Sequence, residues 1–161
     1  MRKKIILFGA GKSATCLIDY LLQQCEKEDW NLLLIDANLE LATSKIAGSN
    51  KASALSIDVQ NSEERMAVIK QAAIVISLLP AALHFLVAKD CVTFEKNLLT
   101  ASYADEQMRS LEPAIIKKKL LFLCEMGLDP GIDHMSAMQL LHHIKDQQGI
   151  CLLYTSPSPR D

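Results

Sequence analysis

The chain has 161 residues, of which 50% are hydrophobic and 22% charged, and its formal net charge is −2. This length suits one ordinary domain, and the small net charge argues against a nucleic-acid or other polyanionic partner. No stretch approaches the roughly 18 apolar residues of a membrane span, and the apolar run behind the basic start is too short for a signal peptide. We therefore expect a cytoplasmic protein with no membrane partner.

The cysteines predict reduced thiols. They are odd in number, form no C-x-x-C pair and lie mostly within apolar runs: Cys16, Cys25, Cys91, Cys124 and Cys151. We expect free thiols in the core and no metal site. The last residues, 151–161, break the preceding periodicity and predict a tail that is disordered or not native, so they are excluded from the fold.

The first predicted element is a strand that runs into a glycine-rich turn. Four apolar residues, 5–8, precede Gly9-Ala10-Gly11-Lys12-Ser13-Ala14, and apolar residues then recur at helical spacing to residue 25. In a dinucleotide-binding fold the first glycine allows the tight turn and the second lets backbone N–H groups approach a pyrophosphate, while the alanine keeps the helix close to the sheet. The N-terminus of that helix favours an anion. The pattern predicts a dinucleotide site.

An acidic residue ends the second predicted strand. The apolar run at 30–36 closes with Asp36, near the place where the motif requires an acid, roughly 20 residues further on. A carboxylate there can accept both hydroxyls of the adenosine ribose and would repel a 2′-phosphate, which favours NAD over NADP. The alternative is a turn residue that caps the helix beginning near Leu39.

The remaining elements alternate between strands and helices. Apolar runs of strand length and segments of helical periodicity predict strands at 52–58, 72–79, 97–101 and 120–124, and helices at 39–47, 62–71, 81–91, 104–118 and from about 133 onward. Such alternation is typical of right-handed βαβ units. The predicted fold class is therefore α/β, a Rossmann-like doubly wound parallel sheet with helices on both faces.

Further cofactor contacts are predicted where two strands end. Asp58 and Val59 close the third strand and would lie beside the adenine, although capping of the next helix is an equal alternative for Asp58. The sequence Ser77-Leu78-Leu79-Pro80 closes the fourth strand. Ligands bind at the carboxyl ends of strands in open parallel sheets, so Ser77, Leu78 and Pro80 are candidates.

Two polar segments follow the last two strands. One is Thr100-Ala101-Ser102-Tyr103, and the other is Glu125-Met126-Gly127-Leu128-Asp129-Pro130-Gly131-Ile132-Asp133-His134. The second is rich in turn residues and could simply be a loop before a helix. Loops at the ligand-binding edge nevertheless concentrate function, and His134 is a weak catalytic candidate.

Four segments together resemble the saccharopine reductase family (saccharopine dehydrogenase, glutamate-forming): residues 9–12, 75–80, 99–103 and 127–134. The resemblance covers about residues 3–148, and G-L-D-P-G-I-D-H is its specific part. The resemblance implies an enzyme of lysine metabolism that interconverts saccharopine with glutamate and 2-aminoadipate 6-semialdehyde by hydride transfer with a nicotinamide. It implies that residues 9–13 bind the pyrophosphate and that Ser77 and Leu78 lie near the nicotinamide-side ribose. Ser102, Tyr103 and Asp129 would contact the amino-acid substrate.

Two departures from the family pattern matter. Members that use NADPH carry a basic residue after the second strand, where this chain has Asp36-Ala37-Asn38. Family enzymes are also much longer, so we expect an NAD(P)-binding domain at 1–128 and the start of a truncated substrate domain at 129–150. Such a fragment would bind dinucleotide weakly and would not turn over saccharopine. The full-length enzyme could form a homodimer.

Two other functions compete with this interpretation. One is a regulatory Rossmann module that binds NAD(P)(H) without turnover, which the elaborate D-P-G-I-D-H loop disfavours. The other is a related dehydrogenase acting on another amino acid or a polyamine conjugate. In the leading interpretation Asp129 is the catalytic candidate, because a carboxylate at the ligand edge could accept the proton of the substrate amine or hold its ammonium form.

Overall fold

A computed structural model describes residues 3–149, and within them six parallel strands form one sheet in the order β3-β2-β1-β4-β5-β6. The strands are Lys4–Phe8 (β1), Asn31–Ile35 (β2), Ala52–Leu55 (β3), Ile74–Ser77 (β4), Asn97–Thr100 (β5) and Phe122–Leu123 (β6). The helices are Thr15–Glu28 (α1), Leu39–Lys45 (α2), Ser62–Ile69 (α3), Ala81–Thr93 (α4), Glu106–Arg109 (α5), Glu112–Lys117 (α6) and Ile132–Asp146 (α7). The predicted α/β fold is confirmed.

Helices cover both faces of the sheet, which explains why the strands are apolar at successive positions. One cluster of buried side chains contains Ile6 and Phe8 with residues from α3 and α4. The other contains Ile5 and Leu7 with residues from α1 and α2. Because alternate side chains of a strand point to opposite faces, β1 contributes to both cores.

The strand order reverses at β1, and this reversal creates the ligand-binding edge. β1 pairs with β2 on one side and with β4 on the other. Just past the strand ends, the N–H of Gly9 donates to the Ile35 carbonyl at 2.8 Å, and the N–H of Leu78 donates to the Phe8 carbonyl at 2.8 Å. The carboxyl ends of all three strands therefore meet at a topological switch point, where doubly wound sheets bind their ligands.

The predicted helix at 104–118 is wrong as a single element. The structure has two short helices, α5 and α6, separated at Ser110 and Leu111. Pro113 has no N–H to donate to the carbonyl of Arg109, so a continuous helix cannot pass it, and proline is instead accommodated in the first turn of α6.

Helix capping and thiol burial also correct the predictions. Neither Asp36 nor Asp58 caps the helix that follows it, because the side chain of Asn38 caps α2 and that of Asn61 caps α3.

The four described cysteines are free, but Cys16 is exposed rather than in the core. The predicted tail at 151–161 lies outside the described residues.

No helix among residues 3–149 is both long enough and apolar enough to span a bilayer.

Candidate functional site

The glycine-rich turn has the two properties that a phosphate-binding turn needs. Gly9 has φ +101°, and a Cβ there would lie 2.7 Å from the Leu78 carbonyl oxygen, so only glycine fits between β1 and β4. Gly11 has an ordinary φ of −59°, and a Cβ there would meet nothing within 4 Å. The space beside Gly11 is therefore open for a ligand rather than filled by protein.

The turn continues into a short 3-10 segment, Lys12–Ala14, and then into α1. In the described structure no side chain caps either segment, so the first N–H groups have no side-chain acceptor. Lys12 and Ser13 are exposed, whereas Ala10 and Ala14 are buried and hold the turn against the sheet. Uncapped N–H groups beside an open glycine fit a pyrophosphate.

Asp36 is directed at the glycine turn. One carboxylate oxygen accepts from the N–H of Ala10 at 2.7 Å, and the other accepts from the N–H of Asn38 at 2.9 Å. Each oxygen retains further acceptor capacity, because a carboxylate offers about four lone-pair sites. Asp36 therefore lies where it could also accept the ribose hydroxyls.

Lys45, at the end of α2, also reaches the turn. Its ammonium donates to the Gly11 carbonyl at 3.1 Å and to the Thr15 hydroxyl at 2.5 Å. This contact, which joins residues about thirty positions apart, is a functional candidate that the sequence did not single out for the site. It places one cation near the phosphate-binding turn.

The two residues predicted to lie beside the adenine differ in burial. Asp58 is exposed, and its side chain accepts from the N–H of Gln60 at 2.9 Å, so it stabilises a local turn. Val59 is buried in the core, and its carbonyl accepts from the Arg65 guanidinium. A cofactor contact at either residue stays a prediction.

The residues that close β4 present backbone rather than side chain. The Ser77 side chain is fully buried and its hydroxyl is hydrogen-bonded to His84, so a cofactor contact there would involve the main chain. Leu78 is half-buried beside Gly9, and Pro80 is exposed as the N-cap residue of α4. Contacts of these residues with the cofactor stay predictions.

The predicted substrate residues lie together in a cleft of about 390 Å³. Ser102, Tyr103 and Asp129 line it, and the Tyr103 hydroxyl donates to the Asp129 carboxylate at 2.9 Å. This hydrogen bond, with smaller contributions from desolvation and neighbouring carboxylates, raises the pKa of Tyr103. The phenol is therefore held protonated as a hydrogen-bond donor.

The loop that carries Asp129 is closed by backbone hydrogen bonds. The Gly127 N–H donates to the Pro130 carbonyl, and the Ile132 N–H returns to the Gly127 carbonyl, each at 3.0 Å. Gly131 has φ +146°, and a Cβ there would approach the Glu125 carbonyl to 2.8 Å, so this position requires glycine. His134 does not line the cleft, and its ring instead pairs with Asp133 at 2.9 Å.

His84 lines the same cleft and was not predicted. It lies near the start of α4 and is 4% exposed. Burial lowers its pKa, while the carboxylate of Asp105 acts in the opposite direction. The sequence does carry a signal that His84 is buried, because helical spacing places it on the same face of α4 as the apolar residues Val87, Ala88 and Cys91.

This shift in pKa predicts acid sensitivity. The unfolded chain binds a proton at His84 with the ordinary pKa of 6.5, whereas the folded chain binds it only at lower pH. Between the two values the unfolded state holds more protons, so folding stability present above pH 6.5 is lost as the pH falls. Urea midpoints measured from about pH 8 to about pH 5 should fall more steeply in the wild type than in His84→Gln. Parallel profiles for the two proteins would contradict the assignment, and His142→Gln on exposed α7 is the control.

A sheet of this order, with uncapped N–H groups and an open glycine at its switch point, defines an NAD(P)-binding domain. The chain belongs to the family described as saccharopine dehydrogenase NADP binding domain, whose profile matches residues 5–123. This match confirms the predicted cofactor class, NAD(P).

Individual relatives agree with this family. The chain is 37% identical over 139 residues to alpha-aminoadipic semialdehyde synthase of Arabidopsis thaliana, covering 83% of the chain and 13% of the relative. It is 31% identical, over an alignment of 166 positions, to saccharopine dehydrogenase [NADP(+), L-glutamate-forming] of Saccharomyces cerevisiae, covering 100% of the chain and 36% of the relative. The apo structure of the yeast L-Glu-forming enzyme superposes with a TM-score of 0.78 at 31% identity, covering 89% of the chain and 32% of that structure. The chain thus spans only a minor part of these relatives.

Proposed function

We propose that this chain is the dinucleotide-binding part of a glutamate-forming saccharopine dehydrogenase. The observation that carries the proposal is the Tyr103–Asp129 pair, which lies in a cleft beyond β5 on the same sheet edge as the glycine turn. The charged residues among those that line the cleft in the described structure are two acids, Asp105 and Asp129. Such a lining suits a substrate that carries an amine.

The chemistry assigned to Asp129 follows from the substrate. The secondary amine of saccharopine must be neutral before its neighbouring carbon can lose a hydride, and the resulting iminium is then hydrolysed. Asp129 accepts the amine proton or holds the ammonium form, while the Tyr103 hydroxyl orients the carboxylate. A bound nicotinamide would supply the hydride acceptor, and the protein would supply orientation and electrostatics.

The division of the chain forms part of the proposal. We assign residues 1–128 to the dinucleotide-binding domain and 129–150 to the start of a substrate domain. None of the residues of α7 is buried, whereas α1, which follows the glycine turn, buries Ile18, Leu21 and Cys25. This difference in burial supports the boundary. A cytoplasmic location and a homodimer of the full-length enzyme stay predictions from sequence.

A chimera tests the function directly. Residues 1–150 of this chain would replace the corresponding first part of the Saccharomyces cerevisiae enzyme, and oxidation of saccharopine would be followed by the absorbance of the reduced nicotinamide. We expect turnover with release of glutamate. The matched control is the same chimera with Asp129→Asn, which keeps the shape of the side chain and should be slower because it cannot accept the proton. A chimera that folds and binds dinucleotide but oxidises no saccharopine would contradict the proposal.

The choice of cofactor is a separate prediction, because the family description names NADP whereas Asp36 favours NAD. Hydrogen bonds from ribose hydroxyls to a carboxylate are worth about 1.5–3 kcal/mol each, and a 2′-phosphate would be repelled. We therefore expect NADH to bind at least about tenfold more tightly than NADPH, a difference of about 1.4 kcal/mol. Calorimetric titration of the chain with both dinucleotides at one ionic strength measures the ratio.

Two variants separate the contributions of the charged residues at this turn. Asp36→Ala should reduce the preference for NADH. Lys45→Met should weaken both dinucleotides, because the ammonium lies near the turn that binds the pyrophosphate they share. Tighter NADPH binding that persists in Asp36→Ala would show that this carboxylate does not face the ribose.

A further inference from the structure

A buried histidine connects the cofactor side of the sheet edge to the substrate side. Nδ1 of His84 lies 2.8 Å from the hydroxyl of Ser77, which ends β4, and Nε2 lies 2.8 Å from the hydroxyl of Ser102, which follows β5. The Thr100 hydroxyl lies 3.2 Å from Nδ1 and accepts from the Ser102 N–H at 3.3 Å. A single ring therefore bridges the ends of two neighbouring strands.

The surroundings of His84 keep its ring neutral. A buried charge without a counter-ion in direct contact is costly, and the positive end of a helix dipole at the start of α4 also disfavours an imidazolium. A neutral imidazole offers one donor and one acceptor, and hydroxyl groups can serve as partners for both. Both ring nitrogens thus have partners within hydrogen-bonding distance, and no described buried side-chain N or O lacks one.

We propose that His84 is a positioning residue, which holds the Ser102 hydroxyl so that the adjacent Tyr103 is directed at Asp129. The backbone of the segment is fixed from the other side, because the Glu125 N–H donates to the Ser102 carbonyl at 3.0 Å. His84 supplies the corresponding restraint on the Ser102 side chain. The proposal rests on the proposed function for its catalytic meaning, since Tyr103 and Asp129 form the substrate wall of the cleft.

The competing explanation is that His84 merely fills space between β4, β5 and α4. The two explanations differ in what may replace it. A glutamine retains a donor and an acceptor and would preserve positioning, whereas a leucine fills similar space without either group. If the role is packing, leucine should perform as well as glutamine.

The pKa of Tyr103 reports on positioning, because the hydrogen bond to Asp129 raises it above the ordinary 10.0. It is measured from the ultraviolet absorbance of tyrosinate, with Tyr103→Phe to identify the signal. We expect His84→Leu and Ser102→Ala to move the pKa of Tyr103 toward 10.0, and His84→Gln to leave it raised. An equal pKa in the leucine and glutamine variants would overturn the proposal.

Ser102→Ala guards against a failure of His84→Leu to fold, because Ser102 lies outside the core and its substitution removes only the partner of Nε2. An unchanged pKa of Tyr103 in folded Ser102→Ala would also overturn the proposal. The titration needs neither dinucleotide nor saccharopine. Its outcome is therefore independent of the chimera experiment, which can fail while His84 still positions Tyr103.

Discussion

Gly11→Val is expected to abolish dinucleotide binding while leaving the fold intact. The backbone of Gly11 has φ −59°, which valine adopts readily, and a Cβ there meets no protein atom within 4 Å. The branched side chain would instead occupy the space that the pyrophosphate needs. We expect a loss of affinity of at least about 100-fold, or about 2.7 kcal/mol, measured by calorimetry.

Gly9 provides the contrasting variant. Gly9→Val should destabilise the protein itself, because its φ is +101° and a Cβ would lie 2.7 Å from the Leu78 carbonyl oxygen. Thermal unfolding would therefore separate a ligand-binding glycine from a structural one. Unchanged dinucleotide affinity in a folded Gly11→Val protein would show that the phosphate-binding assignment is wrong.

The second large effect concerns the buried ion pair between α3 and α4. Nε of Arg65 lies 2.6 Å from the Asp90 carboxylate, and the two side chains are only 5% and 10% exposed. Arg65→Met would leave the carboxylate buried without its partner, and we expect a cost of about 3–5 kcal/mol in the free energy of unfolding. Urea denaturation measures this cost.

A double substitution tests whether the unpaired charge causes this loss of stability, and an exposed ion pair serves as the control. Arg65→Met with Asp90→Leu should recover much of the loss, because no unpaired charge then remains in the core. Lys118→Met, which removes a pair with Glu95 that is largely exposed, should cost no more than about 1 kcal/mol. A cost for Arg65→Met no greater than that for Lys118→Met would contradict the role assigned to the buried pair.

The features that could be predicted are those with a local signal. The strand before Gly9, the turn and the acid at position 36 follow from short-range periodicity and spacing, and the structure places them as the motif requires. The break in the helix at 104–118 also has a local signal, Pro113, but the apolar residues on both sides of it keep a helical spacing that favours one continuous helix.

The features that were missed depend on contacts between distant residues. His84 with Ser102, Lys45 with Gly11 and Arg65 with Asp90 each join different elements, so no local pattern indicates the partner. Helical position alone could have marked His84 as buried. The identity of the groups that satisfy it required the fold, because the two hydroxyls come from the ends of separate strands.

The placement of β1 also has a consequence for the order in which the protein can fold during synthesis. β1 can pair with β2 once residues 31–35 have emerged, but Ile5 pairs on its other side with Ile74. Until β4 has left the ribosome, the edge of β1 that will face β4 exposes unpaired N–H and C=O groups, and these can pair with another chain. Closing the sheet depends on this long-range pairing, which is slow compared with the formation of local contacts. A nascent chain that pauses before Ile74 therefore leaves the strand that later becomes the centre of the cofactor site open to aggregation.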